Sequence, residues 1–226
     1  MQEKAIVLLS GGLDSTTCLA AARAAGYLTY TLSFDYGQRL KTELELAREN
    51  SRAYGAAAHH EIKIDNAFFQ SSALANPEIK VPKNCAQTTE IPVTYVPARN
   101  TIFLSYALAY AEAVGASHIY IGVNSVDYSG YPDCRPEFIA AFEKLANLAT
   151  KQSAEGLVKI TIETPLLTLS KAEIIKLGKS LGVDYARTLT CYDPAGRKAC
   201  GQCDSCQLRR KGFLEAGIPD ETIYTE

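Results

Sequence analysis

Residues 4–16 read KAIVLLSGGLDST, and this stretch decides the fold. Its first half is a run of apolar and β-branched residues, which is typical of a strand buried on both faces of a sheet. The Ser-Gly-Gly of residues 10–12 lets backbone N–H groups converge on an anion without obstruction from side chains. Residues 14–16 open the next helix, whose free N–H groups and positive dipole end favour phosphate. The stretch therefore predicts a phosphate site between a strand and a helix.

The rest of the chain continues this alternation of short β-branched runs and helical segments. Predicted strands cover residues 4–10, 29–36, 60–65, 118–124 and 159–164, and predicted helices cover residues 15–25, 41–54, 101–114, 136–151 and 171–181. Such alternation predicts an α/β fold with a doubly wound, mainly parallel five-stranded sheet. Residues 66–97 fit neither period and are expected to form a long excursion above the sheet, where substrate contacts are common.

Length and composition limit the class of protein. The 226 residues are 47% hydrophobic and 21% charged, which suits a packed globular chain, and we expect a domain of residues 1–186 followed by a small module of residues 187–226. Neither a signal peptide nor a membrane-spanning run is evident, so a cytoplasmic protein is expected. The formal net charge of −2 argues against broad nucleic-acid binding and favours small-molecule chemistry.

Four cysteines near the end of the chain predict a metal site. They are Cys191, Cys200, Cys203 and Cys206. Four thiolates at short spacing suit tetrahedral zinc, in a closed structural site without a position for reacting water. An iron–sulfur cluster is the alternative, although the Cys-Pro ending of ferredoxin motifs is absent. Cys18, outside the cluster, is expected to pack within a helix.

The phosphate loop resembles the Ser-Gly-Gly-x-Asp-Ser signature of N-type ATP pyrophosphatases, and it lacks the Gly-Lys-Ser/Thr ending of a Walker A loop. The resemblance implies that the loop holds the β,γ-pyrophosphate of ATP while a substrate oxygen attacks the α-phosphorus, with an adenylate as product. Asp14, Ser15 and Lys171 are the implied catalytic residues. The implied ATP-binding residues are Leu8, Leu9, Ser10, Gly11, Gly12, Leu13, Asp14, Ser15, Thr16, Thr17 and Cys18.

Lys171 lies in Ser-Lys-Ala-Glu-Ile, residues 170–174, which resembles an element that such enzymes place near the phosphates. There it would supply a point charge for the departing pyrophosphate. The same residues also read as an N-capped helix, with Ser170 and Glu173 forming a capping box, and both interpretations can hold together.

Three further blocks, residues 34–39, 96–100 and 122–138, together with residues 199–209, resemble the family of 7-cyano-7-deazaguanine synthases. The resemblance covers nearly the whole chain. It implies conversion of 7-carboxy-7-deazaguanine and ammonia to the nitrile in the queuosine pathway, with ATP, Mg2+ and a homodimer. Free ammonia is the expected nitrogen source, because no glutaminase domain is present.

Residues in two of these blocks offer what a guanine-like carboxylate requires. The implied substrate-binding residues are Arg99, Asn100, Asp127, Tyr131, Asp133 and Arg135. A carboxylate can accept the paired N–H donors of a guanine edge, for which Asp133 is the candidate, and an arginine can clamp an acid. Arg99 or Arg135 is expected to orient the substrate carboxylate, and a surface salt bridge is the alternative for each.

Two positions depart from the family pattern. Ala98 stands where the family usually has Gly, so no special backbone angle is expected there, since alanine tolerates positive φ poorly. Leu40 stands where the family usually has His, so no general base is expected near residue 40. The alternative functions are a tRNA-thiolating enzyme using Cys134 or Cys85, an amidating ligase for another acid, and a zinc-ribbon binding module without catalysis.

Overall fold

The computed structural model describes residues 2–84, 91–126 and 131–225. Its strands are β1 (Lys4–Leu8), β2 (Leu28–Asp35), β3 (Ala58–Lys63), β4 (His118–Tyr120) and β5 (Thr161–Glu163). Its α-helices are α1 (Leu13–Ala24), α2 (Thr42–Ala53), α3 (Arg99–Val114), α4 (Pro136–Ala149), α5 (Lys151–Ala154), α6 (Lys171–Ser180) and α7 (Asp204–Ala216).

The five strands form one parallel sheet in the order β3-β2-β1-β4-β5, which confirms the predicted fold class. The apolar run of residues 4–9 becomes the central strand because both of its faces are covered; Ile6 and Val7 are fully buried. The strand order reverses on either side of β1, and ligands of such sheets bind in the crevice beyond the carboxyl ends at that point. The loop of residues 10–15 begins there.

Helices cover both faces of the sheet. On one face, α3 and α4 pack apolar residues such as Leu104 and Phe142 against the strands. On the other face, α1, α6 and α7 contribute Leu19, Ile174 and Phe213 to a second core. A third, smaller cluster surrounds the four cysteines. The edge of the sheet at residues 10–15 therefore lies between two packed layers.

The predicted helices match the observed ones to within about two residues at most of their ends. β4 and β5 are shorter than predicted. Two helices were not predicted: the short α5, which follows α4, and α7, which follows the cysteine cluster. No described helix has the length and apolarity that a membrane span requires.

The expectation for Ala98 is wrong. Ala98 adopts a left-handed conformation with φ 51° and ψ 23° at the N-cap of α3. Its N–H donates to the hydroxyl of Tyr95 at 3.1 Å, and the N–H of Arg99 donates to the carbonyl of Val96 at 3.2 Å. The turn before α3 therefore places an alanine in a conformation that glycine adopts more readily.

Candidate functional site

Hydrogen bonds between its two serines stabilise the loop between β1 and α1. The hydroxyl of Ser15 accepts from the N–H of Ser10 at 3.1 Å and lies 3.1 Å from the Ser10 hydroxyl. Gly12 caps α1 in an extended conformation without a side-chain cap, and the first turn of the helix lies at the crevice, which Asp14 and Ser15 line. This arrangement can bind an anion such as a phosphate group.

Two glycines in this region lie where a side chain would be crowded by neighbouring backbone. A Cβ on Gly11, whose φ is +79°, would lie 2.6 Å from the carbonyl oxygen of Glu43 on α2. A Cβ on Gly122, which follows β4, would lie 3.2 Å from the N–H nitrogen of Ser15. The loop is thus enclosed by backbone on both sides, which fixes its shape before any ligand binds.

Lys171, at the start of α6, reaches the loop. Its Nζ lies 2.8 and 2.9 Å from the two carboxylate oxygens of Asp14, and both side chains are largely buried. The helix is placed by the predicted capping box, which is confirmed: Ser170 accepts from the N–H of Glu173, and Glu173 accepts from the N–H of Ser170. The structure therefore brings Asp14, Ser15 and Lys171 together.

A cavity of about 230 Å³ opens beyond the carboxyl ends of β1, β2 and β4. Of the predicted ATP-binding residues, seven line it: Leu8, Leu9, Ser10, Gly12, Leu13, Asp14 and Ser15. Thr16, Thr17 and Cys18 are fully buried in α1, so their side chains pack inside the protein. Cys18 thus occupies the helix interior, as predicted.

The far wall of the cavity is aromatic and carries a guanidinium group. The rings of Phe34 and Phe103 stack at 3.9 Å, and Tyr36 lies 5.7 Å from the ring of Phe103. Among the described residues, Arg99 forms no ion pair with a carboxylate; a hydrogen bond joins it to Tyr36. Burial alone would lower the pKa of Arg99, but nearby Tyr36, Cys134 and Asp133 raise it overall. The arginine therefore stays charged and can bind an anion.

Glu43, in the first turn of α2, shares this cavity. Its Oε1 accepts from the side-chain amide of Gln38 at 2.8 Å. Enclosure of the carboxyl group raises its pKa to about 7, although the hydrogen bond from Gln38 and the charge of Arg99 act in the opposite direction. A carboxyl group of this kind can exchange a proton near neutral pH.

The other predicted substrate residues lie in different settings. Tyr131 lines the cavity and hydrogen-bonds Thr94 at 2.8 Å, on the predicted excursion. Asn100 also lines it, but its amide donates to the carbonyl oxygen of Asp133. Asp133 is buried and accepts from the N–H of Asn100 at 3.0 Å, so it helps to start α3. Arg135 is exposed at the start of α4, and Asp127 lies outside the described residues.

The four predicted metal ligands converge. The sulfur atoms of Cys191, Cys200, Cys203 and Cys206 lie within 4.8 Å of one another, so the cluster could hold a metal ion. Backbone N–H groups also point at the sulfurs: those of Cys200 and Asp193 lie 3.2 and 3.4 Å from the Cys191 sulfur. Such donors stabilise thiolates, which are the form that binds a metal.

The segment that carries these cysteines also builds the phosphate loop. The N–H of Leu13 donates to the hydroxyl of Thr190 at 3.3 Å, and the N–H of Leu189 donates to the carbonyl of Gly11 at 3.3 Å. On α7, Gly212 packs against Lys171; a Cβ there would lie 2.4 Å from the lysine Cγ. The domain boundary after residue 186 stays a prediction. Residues on both sides of that position contribute to the phosphate loop and its cavity.

Some residues of the site were not predicted from the sequence. Glu43, Phe103, Thr190 and Tyr192 line the cavity although no role was assigned to them, and Asn124 ties the chain after β4 to the carbonyls of Leu166 and Leu169. Only Asn124 had a usable signal, because polar residues directly after a parallel strand lie at the ligand edge of a sheet.

Comparison with known proteins agrees with this geometry. Residues 4–217 match the family model described as queuosine biosynthesis protein QueC. Proteins named 7-cyano-7-deazaguanine synthase from Anaeromyxobacter sp. (strain Fw109-5) and Geotalea uraniireducens are 59% and 60% identical, over 99% and 100% of this chain and 97% and 99% of their own.

Solved structures share the fold at low identity. A predicted subunit of tRNA methyltransferase from Methanocaldococcus jannaschii matches with a TM-score of 0.51 and 18% identity over 99% of this chain and 93% of its own. An NMN synthetase from Francisella tularensis matches with a TM-score of 0.51 and 19% identity, over 96% of this chain and 79% of its own. The family model and the full-length relatives together show that the chain belongs to the QueC family of queuosine biosynthesis proteins.

Proposed function

We propose that the protein converts 7-carboxy-7-deazaguanine and ammonia to 7-cyano-7-deazaguanine, with ATP cleaved to AMP and pyrophosphate. The observation that carries this proposal is a single cavity lined by the anion-binding loop, by the half-buried, positively charged Arg99 and by the aromatic rings of Phe34 and Phe103. A phosphate chain and a flat carboxylic acid can meet there. The relatives' names and the family match supply the identity of the acid.

The chemical difficulty of the reaction lies in the carboxylate. A carboxylate oxygen would have to leave as oxide, which is a poor leaving group. The oxygen therefore first attacks the α-phosphorus of ATP, and pyrophosphate departs. The loop and the N-terminus of α1 hold the leaving phosphates, and Lys171 compensates their charge. Ammonia then displaces AMP to give an amide, and adenylation of the amide oxygen followed by loss of AMP gives the nitrile. The loop is used twice.

Mg2+ fits the loop, because the carboxylate of Asp14 at the cavity wall is the type of oxygen ligand that this ion prefers. When bound, it would neutralise phosphate charge. Asp14 would hold the ion, and Lys171 would compensate the charge of the pyrophosphate.

Arg99 is the proposed partner of the substrate carboxylate, and the rings of Tyr36, Phe103 and Tyr131 are the proposed surface for the heterocycle. Asn100 orients the chain beside them. We propose that Asp133 recognises the base edge of the substrate while it also accepts a hydrogen bond at the start of α3. Arg135 and Asp127 remain proposed substrate contacts.

No nucleophile of the protein is required for these steps. Cys134 lines the cavity, but burial raises the pKa of its thiol to about 11, so it stays protonated at neutral pH. Positioning and electrostatic stabilisation of phosphoryl transfer account for the catalysis.

For the cysteine cluster we propose zinc in a closed, structural role. Four sulfur ligands complete a tetrahedral site and leave no position for reacting water. We further propose that the enzyme acts as a homodimer in the cytoplasm, where reducing conditions keep these thiols available for metal, and that it binds no nucleic acid directly.

The decisive test is incubation of the purified protein with 7-carboxy-7-deazaguanine, ammonium and MgATP. Mass spectrometry should find the nitrile, and AMP and pyrophosphate should accumulate. Formation of ADP and phosphate would contradict adenylation. Sulfur transfer to tRNA without nitrile would replace the proposal with the thiolating alternative.

A further inference from the structure

Two oppositely charged side chains face the same cavity without pairing with each other. Arg99 and Glu43 both line it, yet among the described residues neither forms an ion pair with a partner of opposite charge. Enclosed charges without partners are costly, so each is expected to meet a charged ligand. The guanidinium suits the anionic substrate, which leaves the carboxylate for a cation.

The surroundings of Glu43 hold its carboxyl group in place. Gln38 donates to Oε1 and is itself fixed, because its amide donates to the carbonyl of Phe34 at 2.8 Å and its oxygen accepts from the N–H of Tyr36 at 2.9 Å. No hydrogen bond to Oε2 is formed by the described residues. The free oxygen can therefore bind a ligand in the cavity without moving the backbone.

The proposed reaction brings a small cation into this cavity. Ammonia is mostly ammonium at neutral pH, and ammonium cannot attack carbon until it loses a proton. The described residues that line the cavity include no histidine, Asp14 is engaged by Lys171, and the thiol of Cys134 is protonated. Glu43 is the remaining carboxylate, and it lies three residues from Leu40, a region where no general base is expected from the sequence.

Resting on the proposed function, we propose that Glu43 binds the ammonium ion and accepts its proton, which makes Glu43 the general base of the amide-forming step. The carboxylate takes one proton and releases neutral ammonia. The nitrogen forms a bond to the acyl carbon, and the carbon–oxygen bond to AMP breaks with its electron pair leaving on AMP. The surplus proton on nitrogen passes to the phosphate of AMP, and Glu43 returns its own proton to solvent.

The electrostatics support this role. A pKa of about 7 makes Glu43 a stronger base than an ordinary glutamate and leaves much of it ionised at neutral pH. The charged and titratable groups that act on it are Arg99 from α3 and Tyr36 beyond β2. Burial raises the pKa of the Glu43 carboxyl group, whereas the hydrogen bond from Gln38 and the charge of Arg99 both lower it.

The test separates adenylation from attack by nitrogen. In Glu43→Gln, acid-dependent exchange of pyrophosphate into ATP should stay within about threefold of wild type, whereas nitrile formation from ammonium at neutral pH should fall by about 100-fold or more. Hydroxylamine is already neutral at that pH, so hydroxamate formation from it should be nearly normal. Alkaline pH, which supplies free ammonia, should partly restore nitrile formation by the variant.

Glu45→Gln is the matched control, because Glu45 lies on the same helix and, within the described part of the chain, forms its ion pair with exposed Arg197. Loss of pyrophosphate exchange in Glu43→Gln would overturn the proposal and place Glu43 at the MgATP step; equal loss with ammonium and hydroxylamine would also overturn it. If Glu43→Gln fails to fold, the wild type decides: kcat/KM for ammonium must show an inflection near the pKa of Glu43, and a profile that follows free ammonia alone contradicts the role. Absence of nitrile in the wild type would instead refute the function itself.

Discussion

Arg99 and Arg135 are both candidates for the substrate carboxylate, and their surroundings separate them. Arg99 is enclosed in the cavity, whereas Arg135 is exposed at the start of α4. We expect Arg99→Gln to raise the KM for the deazaguanine acid by roughly 10- to 100-fold, because a charged hydrogen bond is worth about 1.5–3 kcal/mol. Steady-state nitrile formation measures this.

Arg135→Gln serves as the comparison and should change the same KM by less than about twofold, as exposed charges contribute little. A larger increase of this KM in Arg135→Gln than in Arg99→Gln would indicate that the substrate carboxylate binds Arg135 instead.

Gly11 is the residue of the loop that tolerates substitution least. In Gly11→Ala, the new methyl would meet the carbonyl oxygen of Glu43 at 2.6 Å, so α2 must move away from the loop. We expect ATP affinity to fall at least about tenfold, which calorimetric titration with a non-hydrolysable ATP analogue would measure.

Gly26→Ala is the matched control. Gly26 also has positive φ, +91°, but a Cβ there meets no atom within 4 Å. That variant should lose about 1 kcal/mol of unfolding free energy from backbone strain and keep its ATP affinity. Equal ATP affinities in the two variants would show that the close approach at Gly11 is unimportant.

At the scale of elements, α3 begins under strain. Ala98 holds a left-handed conformation that alanine adopts at a cost of roughly 1–2 kcal/mol, partly offset by the greater freedom of glycine in the unfolded chain. Ala98→Gly should therefore raise the free energy of unfolding by about 0.5–1 kcal/mol, as thermal or urea denaturation would show.

Ala109→Gly, at an exposed position inside the same helix, should instead lower the free energy of unfolding by about 1 kcal/mol. If both substitutions destabilise the protein equally, position 98 is not strained.

Elements and site were predictable to different degrees from the sequence. The strands, most helices and the phosphate loop follow from local patterns, such as the apolar run of residues 4–9 and the cap at Ser170. The cavity wall does not, because Glu43, Phe103 and Tyr192 come from three distant segments that meet only in the folded chain. Asp133 shows the same limit: its chemistry suits a base edge, and its contact with Asn100 appears only in three dimensions.

At the scale of the whole molecule, the cysteine cluster and the ATP site are parts of one structure. Removal of the metal by a chelator, or Cys203→Ser, should lower the melting temperature and weaken ATP binding together, because Thr190 and Leu189 bond to the loop. Calorimetry on metal-free and restored protein measures both effects.

Cys18→Ala should retain its full metal content, since Cys18 is buried in α1 and lies outside the cluster. Unchanged ATP affinity in metal-free protein that remains folded would show that the two sites are independent.

The packing of Gly212 against Lys171 is a second connection between the cysteine cluster and the ATP site, and it has a consequence for the cell. The segment that carries the cysteine cluster leads directly into α7, and α7 packs against Lys171, which bonds to Asp14 of the loop. A metal with no part in the chemistry would thus govern whether the chemistry occurs. If the cluster holds zinc as proposed, a cell starved of zinc would make less deazaguanine nitrile for tRNA modification, in proportion to the fraction of this enzyme that carries its ion, even with ATP and ammonia in plenty.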